Sequence, residues 1–360
     1  MAGPARFRKA ILKLHLWAGL IAAVLLFLTG TSGSLLVFES EIDHALNPTL
    51  SHVSPAERTL SLTDLKSALE SQYPGSRVLE FDISDSSNLA YAAYLQPRSA
   101  DGIDVAVNQH TGKALGVWNG DRFVTKLHQF HTHLLAGKPG SAVVTWGSIF
   151  LLFLSASGII LWWRSKIFRV GFQTSGPKFQ YDLHSTVGVV SSLFLLIFAL
   201  TGILVHLENP VRQWAAAVSH LPANPPRSKP AKPAPGAVSL EPSQLLRRAQ
   251  AAAPGARPTE IYLADTPDHP AMVIMKFPED HTPVGRTRIL LDPYSGDVLS
   301  LTSSRATSLV LSYATRLNRE IHTGDIAGWP TRILAAIFSM CLPLLALTGP
   351  LLWWQRRRRG

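Results

Sequence analysis

"LHLWAGLIAAVLLFLTGTSGSLLVF", residues 14–38, runs for 25 residues without a Lys, Arg, Asp or Glu. About 20 mostly apolar residues in a helix cross a hydrocarbon layer of ~30 Å, so this stretch is long enough to span a bilayer. Residues 142–163, 187–207 and 333–354 are equally free of charge. Only 16% of the chain is charged, against roughly 25% in an ordinary soluble domain. The reading is an α-helical membrane protein with four spans. The basic "RFRKAILK" before the first span resembles the start of a secretory signal. The apolar run exceeds the ~7–15 residues of such a signal and no A-x-A site follows, so it is read as a retained anchor.

Basic residues give the orientation. Arg6, Arg8, Lys9 and Lys13 precede the first span, Arg164, Lys166, Arg169 and Lys178 lie between the second and third, and Arg356 to Arg359 close the chain. No acid accompanies them, so both termini and the middle loop are expected in the cytoplasm and the two long segments outside. In a Gram-negative bacterium that means the periplasm, with the protein in the inner membrane. These twelve charges exceed the net charge of +10, so the basic balance reports topology rather than nucleic-acid binding. The single cysteine, Cys341, lies in the fourth span, which leaves the outer segments no disulfides and no thiolate metal site.

The chain is written twice. "LHLWAG" at Leu14 returns as "LHSTVG" at Leu183, and Gly33 follows His15 by 18 residues just as Gly202 follows His184. "IHTGDIAGWP" aligns His322 with His131: Pro330 and Pro139 follow at +8, Gly349 and Gly158 at +27, and the pairs Trp353–Trp354 and Trp162–Trp163 at +31 and +32. The register separates the three histidines of "KLHQFHTHLLAGKPG" (residues 126–140). His131 alone has a counterpart, whereas His128 falls opposite Arg319 and His133 opposite Gly324. His206 falls opposite Val37 and competes for a place in the outer site. The remaining histidines show no ligand-like pairing.

Outside the spans, "LTDLKSALESQYPGSRVLEFDIS" and "EPSQLLRRAQAAAPGARPTEIYLAD" each read as an amphipathic helix, a Pro-Gly break and a strand. "VNQHTGKALG" and "LDPYSGDVLS" read as Gly-containing hairpins. The expected plan is a cytoplasmic N-terminus (1–13), spans at 14–38, 142–163, 181–207 and 333–354, and a cytoplasmic loop (164–180) and tail (355–360). Outside lie a first small α+β domain (39–125) with an interfacial segment (126–141), then a Pro-rich linker (208–240), a second α+β domain (241–315) and its interfacial segment (316–332).

Four histidines at repeat-equivalent positions thus form two layers, His15 with His184 inside and His131 with His322 outside. Neutral imidazole is a good iron ligand, and two imidazoles on one porphyrin leave no site open for oxygen, which favours electron transfer. Eighteen residues are five helical turns, so Gly33 shares a face with His15 and Gly202 with His184, about 27 Å along the helix. Missing side chains there make room for an outer macrocycle or ease helix–helix contact. Gly19 and Gly188, one turn from the inner histidines, carry the same two readings.

The "LH…G" starts, the "HTHLLAGKPG" and "IHTGDIAGWP" segments, the "WWR" and "WWQRRRR" exits and the two interposed modules resemble the PepSY-associated transmembrane proteins. That family includes ferrisiderophore reductases of the FoxB type and iron-regulated proteins of the PiuB type. The resemblance implies PepSY-like outer domains, two non-covalent b-type haems, an inner-membrane location and a ferric siderophore as periplasmic electron acceptor. The implied iron ligands are His15 and His184, and His131 and His322. No G-x-G-x-x-G is present, so the donor is expected to be a separate cytoplasmic reductant or membrane quinol. The rival readings are a membrane-anchored regulatory or binding protein without enzymatic activity, and a siderophore transporter.

Overall fold

The computed structural model describes residues 4–98, 100–118, 122–165, 168, 176–220, 229–233, 236–306, 309–313 and 317–358. They fall into two compact units, residues 1–39, 123–211 and 313–360 in one and residues 40–122 and 212–312 in the other.

The first unit holds four helices long and apolar enough to cross a membrane. In chain order the helices are α1 (Pro4–Leu36), the short α2 (Glu39–Leu46) and α3 (Pro48–Ser51), α4 (Leu62–Gln72), α5 (Phe123–His133), α6 (Gly137–Ser165) and α7 (Pro177–His206). There follow α8 (Glu208–Ser219), α9 (Pro242–Ala252), α10 (Leu309–Ser312), α11 (Asn318–Thr323) and α12 (Trp329–Arg357). The spans are α1, α6, α7 and α12. They are longer than the charge-free runs because hydropathy marks only the apolar part of a helix, while the helix continues into its polar flank. Ala22, Leu26, Leu151, Leu195, Ala199 and Leu342 form the apolar centre of the bundle. Pro343 and Pro350 lie inside α12. Gly30 of α1 lets Pro343 in, since a Cβ there would lie 2.8 Å from its Cδ.

The two segments read as interfacial contain helices α5 and α11. α5 carries all three clustered histidines and ends in two left-handed leucines, Leu134 (φ 52°) and Leu135 (φ 56°), before α6 begins. Gly140 admits the His133 carbonyl, which a side chain at that position would overlap.

In the second unit, β1 (Ser76–Asp82), β2 (Tyr91–Pro97), β3 (Ile103–Val107) and β4 (Ala114–Trp118) follow α4, while β5 (Arg257–Tyr262), β6 (Ala271–Lys276), β7 (Thr287–Leu291) and β8 (Val298–Thr302) follow α9. Two separate domains were expected here; the structure has one antiparallel sheet of eight strands, ordered β4-β3-β2-β1-β5-β6-β7-β8. The junction is β1 against β5, with Glu80 opposite Tyr262, Phe81 opposite Ile261 and Asp82 opposite Glu260. Each half alone would leave that strand as an open edge with unpaired backbone groups, and pairing the two edges removes both. The core is shared as well. Leu65 and Leu69 of α4 and Leu245 and Ala249 of α9 are buried with Phe81, Leu95, Ile261 and Ile289 in one cluster. Where the two helices meet, the Thr63 amide donates to Ser243 Oγ at 3.1 Å.

Local signals built these elements as the pattern anticipated. Ser61 caps α4 by accepting from the Asp64 amide, and Glu241 and Gln244 form a capping box on α9. Asn108 and Asp292 brace the two hairpins by accepting amide protons two and three residues ahead. The segment read as a Pro-rich linker departs from expectation, because its first third is helix α8. Prolines are concentrated after Leu221, leaving "VRQWAAAVS" free to propagate a helix. Residues 221–228 and most of the 164–180 loop lie outside the described residues.

Candidate functional site

His15 on α1 and His184 on α7 lie with ring centroids 6.5 Å apart and ring planes at 88°. His131 on α5 and His322 on α11 form a second pair at 6.3 Å and 49°. His131 packs against Gly33, so the two layers are separated along α1 by roughly 27 Å.

All four rings are seated in the same way. His15 Nδ1 lies 2.8 Å from Ser157 Oγ, His184 Nδ1 2.8 Å from Thr348 Oγ1, His131 Nδ1 3.0 Å from Ser32 Oγ and His322 Nδ1 2.8 Å from Thr201 Oγ1. Each hydroxyl is followed in sequence by a glycine, and that glycine faces the same ring. A Cβ would approach the ring Cε1 to 3.6 Å at Gly158, 3.5 Å at Gly349, 2.9 Å at Gly33 and 3.4 Å at Gly202. The imidazole thus rests against bare backbone, with Nδ1 engaged by the neighbouring hydroxyl.

Two of the glycines read from the sequence therefore have a direct neighbour: Gly33 faces the His131 ring and Gly202 the His322 ring. Gly19 and Gly188 have only ordinary contacts, with Leu154 and Leu345 at 3.7 Å, and neither faces a histidine. Gly158 and Gly349 entered the sequence reading only as repeat markers, and Ser32, Ser157, Thr201 and Thr348 were not singled out, although a Ser/Thr-Gly dipeptide recurring in each of the four spans was there to be seen.

The bystander histidines take other places. His128 is half exposed, 3.8 Å from a Glu39 carboxylate oxygen. His133 is half-buried, with an Nδ1 that meets no hydrogen-bond partner among the described residues. His206 Nδ1 reaches Ser141 Oγ at 3.1 Å. His44 and His52, for which no pairing was expected, have ring centroids 6.0 Å apart, and no third donor joins them among the described residues.

The second unit contributes a cluster invisible in the sequence. Carboxylate oxygens of Glu80, Asp82 and Glu260 lie within 4.8 Å of one another on the β1–β5 junction. Tyr262 donates to Glu260 at 2.8 Å. Burial and the neighbouring carboxylates raise the Asp82 pKa to about 7, and burial pushes Glu80 and Glu260 upward as well.

Four long apolar helices joined to an α+β domain define a multi-pass membrane protein of mixed architecture. Its family is established by a model that runs almost end to end: residues 12–356 match the PepSY-associated TM region, and the chain belongs to that family. A search of curated proteins finds no match.

Proposed function

We propose that the chain is a duplicated, di-haem electron-transfer protein of the bacterial inner membrane, with both termini cytoplasmic. In this reading it delivers electrons to ferric iron held by a siderophore on the periplasmic side. The observation that carries the reading is the spacing of the imidazole pairs. Two imidazoles on opposite sides of one metal, each bonded at ~2.0 Å, put their ring centroids about 6.3 Å apart, whereas a tetrahedral angle would bring them to about 5 Å. The observed 6.5 and 6.3 Å fit the first arrangement. The donor set fits as well, being paired imidazole nitrogens that no Cys, Asp or Glu joins as a third donor among the described residues.

His15 and His184 would hold one haem and His131 and His322 the other. Two imidazoles per haem would leave no site open for oxygen, so a group held there would supply one-electron transfer. The protein's own part is to hold each pair at fixed separation from four different helices, and to keep charged side chains out of the apolar centre. The positive-inside flanks support the orientation. The substrate class follows from the family resemblance together with ligand chemistry: hard oxygen chelators hold ferric iron far better than ferrous, so one-electron reduction loosens the chelate without breaking it.

The test is an absorption spectrum and haem count of protein purified after haem-replete expression. Two b-type haems per chain are expected, with His131→Ala losing one while His128→Ala and His133→Ala keep both. A chain without a Soret band would end the electron-transfer reading and leave a membrane-anchored binding protein. For the substrate, dithionite-reduced protein should be reoxidised by a ferric siderophore with release of chelatable Fe(II). Reoxidation no faster than in anaerobic buffer would exclude that acceptor.

A further inference from the structure

The four hydroxyls that meet the histidines share a second contact. Ser32 Oγ donates to the Leu28 carbonyl at 2.8 Å, Thr201 Oγ1 to Ile197 at 2.7 Å and Thr348 Oγ1 to Leu344 at 2.8 Å, each one turn back on its own helix. Ser157 makes a longer bond, 3.2 Å to the Leu154 carbonyl. A hydroxyl has a single proton. Two oxygens less than 3 Å apart repel unless a proton lies between them, so at Ser32, Thr201 and Thr348 that proton belongs to the carbonyl. The hydroxyl oxygen then meets the imidazole only as an acceptor, and Nδ1 must carry the ring proton. A neutral imidazole protonated at Nδ1 has its lone pair at Nε2.

We propose that Ser32, Ser157, Thr201 and Thr348 are positioning residues that fix the histidine tautomer and so designate Nε2 as the iron-binding atom; the proposal rests on the haem reading above. A carboxylate could play the same part, as it does in many metal sites, but it would be costly inside a membrane span. A hydroxyl that discharges its own donor onto its helix can be buried there cheaply. It is also a weaker acceptor than a carboxylate, so each ligand stays a neutral, moderately basic imidazole. The longer bond at Ser157 makes His15 the least constrained of the four.

Thr348→Val and Thr348→Ser test this in full-length, detergent-solubilised protein. Valine keeps the shape and removes the hydroxyl; serine keeps the hydroxyl. With valine, the inner haem should pass to a haem scavenger at a concentration about 10–100-fold lower. Its midpoint potential should shift, and serine should restore both. The outer haem is unchanged in each variant and reports that the bundle has folded. Thr201→Val gives the mirror result at the outer site. In haem-depleted protein, 15N-histidine NMR should show His184 protonated at Nδ1 in the wild type and a tautomer mixture with valine. Wild-type retention, potential and tautomer in Thr348→Val would overturn the proposal. Wild-type protein without haem would overturn the functional reading instead, and the NMR result would still judge the tautomer.

Discussion

Gly33→Ala separates the accounts of why glycines face the histidines. The added Cβ would lie 2.9 Å from His131 Cε1 and 3.3 Å from Ser339 Oγ. Carbon atoms rest at ~3.5–4.0 Å, so the ring must withdraw by about half an ångström or more. His131 Nδ1 starts 3.0 Å from Ser32 Oγ, and that retreat stretches the contact to the limit of a hydrogen bond. Losing one such bond costs about 1 kcal/mol, or roughly fivefold in haem affinity at the outer site. Alanine meanwhile favours the helix by about 1 kcal/mol over glycine, so global stability should hardly change. Gly19→Ala is the control, because its Cβ meets only Leu154 at 3.7 Å. The assay is haem retention on titration with a scavenger, alongside thermal unfolding followed by circular dichroism. Equal loss from Gly19→Ala, or wild-type retention in Gly33→Ala, would refute the ring-cradle account.

Two further outcomes follow from geometry already described. The ring planes cross at 88° in one pair and 49° in the other; imidazoles that kept a perpendicular setting on a bound haem would bring the two iron orbitals that they split close in energy and raise the largest g value of the low-spin ferric state. Oxidised protein should therefore give two distinct low-spin EPR signals, the one with the larger g value disappearing in His184→Ala and the other in His322→Ala, and a single shared signal would contradict the geometry. At the β1–β5 junction, the Asp82 pKa is raised from 3.8 to about 7 by burial and by Glu260 and Glu80. The folded state then holds a proton the unfolded chain has released, so this stability is complete below the unfolded pKa and lost as pH rises through 7. Asp82→Asn should flatten the decline in urea midpoint between pH 5 and pH 8, and an undiminished decline would clear Asp82 of responsibility.

What was legible in the sequence is what leaves a signature within one continuous segment. The spans show as charge-free runs, and the helix, Pro-Gly, strand order of each module shows in periodicity and turn residues. The histidine pairing was legible because the repeat supplied a register, which singled out His131 from His128 and His133 without any knowledge of contacts. The β1–β5 junction was not. Nothing in "VLEFDIS" or "PTEIYLA" says that their outer edges meet, and the carboxylates of Glu80, Asp82 and Glu260 become a cluster only through that cross-strand register. The His44–His52 contact depends instead on the turn between α2 and α3, which no periodicity marks. Helix α8 was lost in the prolines that follow it.

The Ser/Thr-Gly cradles occupy a middle position, and their distribution bears on how the site is assembled. His15 rests on Ser157-Gly158 and His131 on Ser32-Gly33, all within the first half of the chain; His184 rests on Thr348-Gly349 and His322 on Thr201-Gly202, all within the second. Each half therefore orients two imidazoles by itself. Each imidazole pair, by contrast, joins the halves, His15 to His184 and His131 to His322. Ring orientation is thus a local property, while ring separation depends on how α1 packs on α12 and α6 on α7. A change at a cradle should disturb one ligand and leave its partner seated, whereas a change at the contact between halves, such as Gly30 against Pro343, should move both pairs together. Each pair also combines one serine-held ring with one threonine-held ring, so the two faces of a ligand bound there would not be equivalent even where the histidines are.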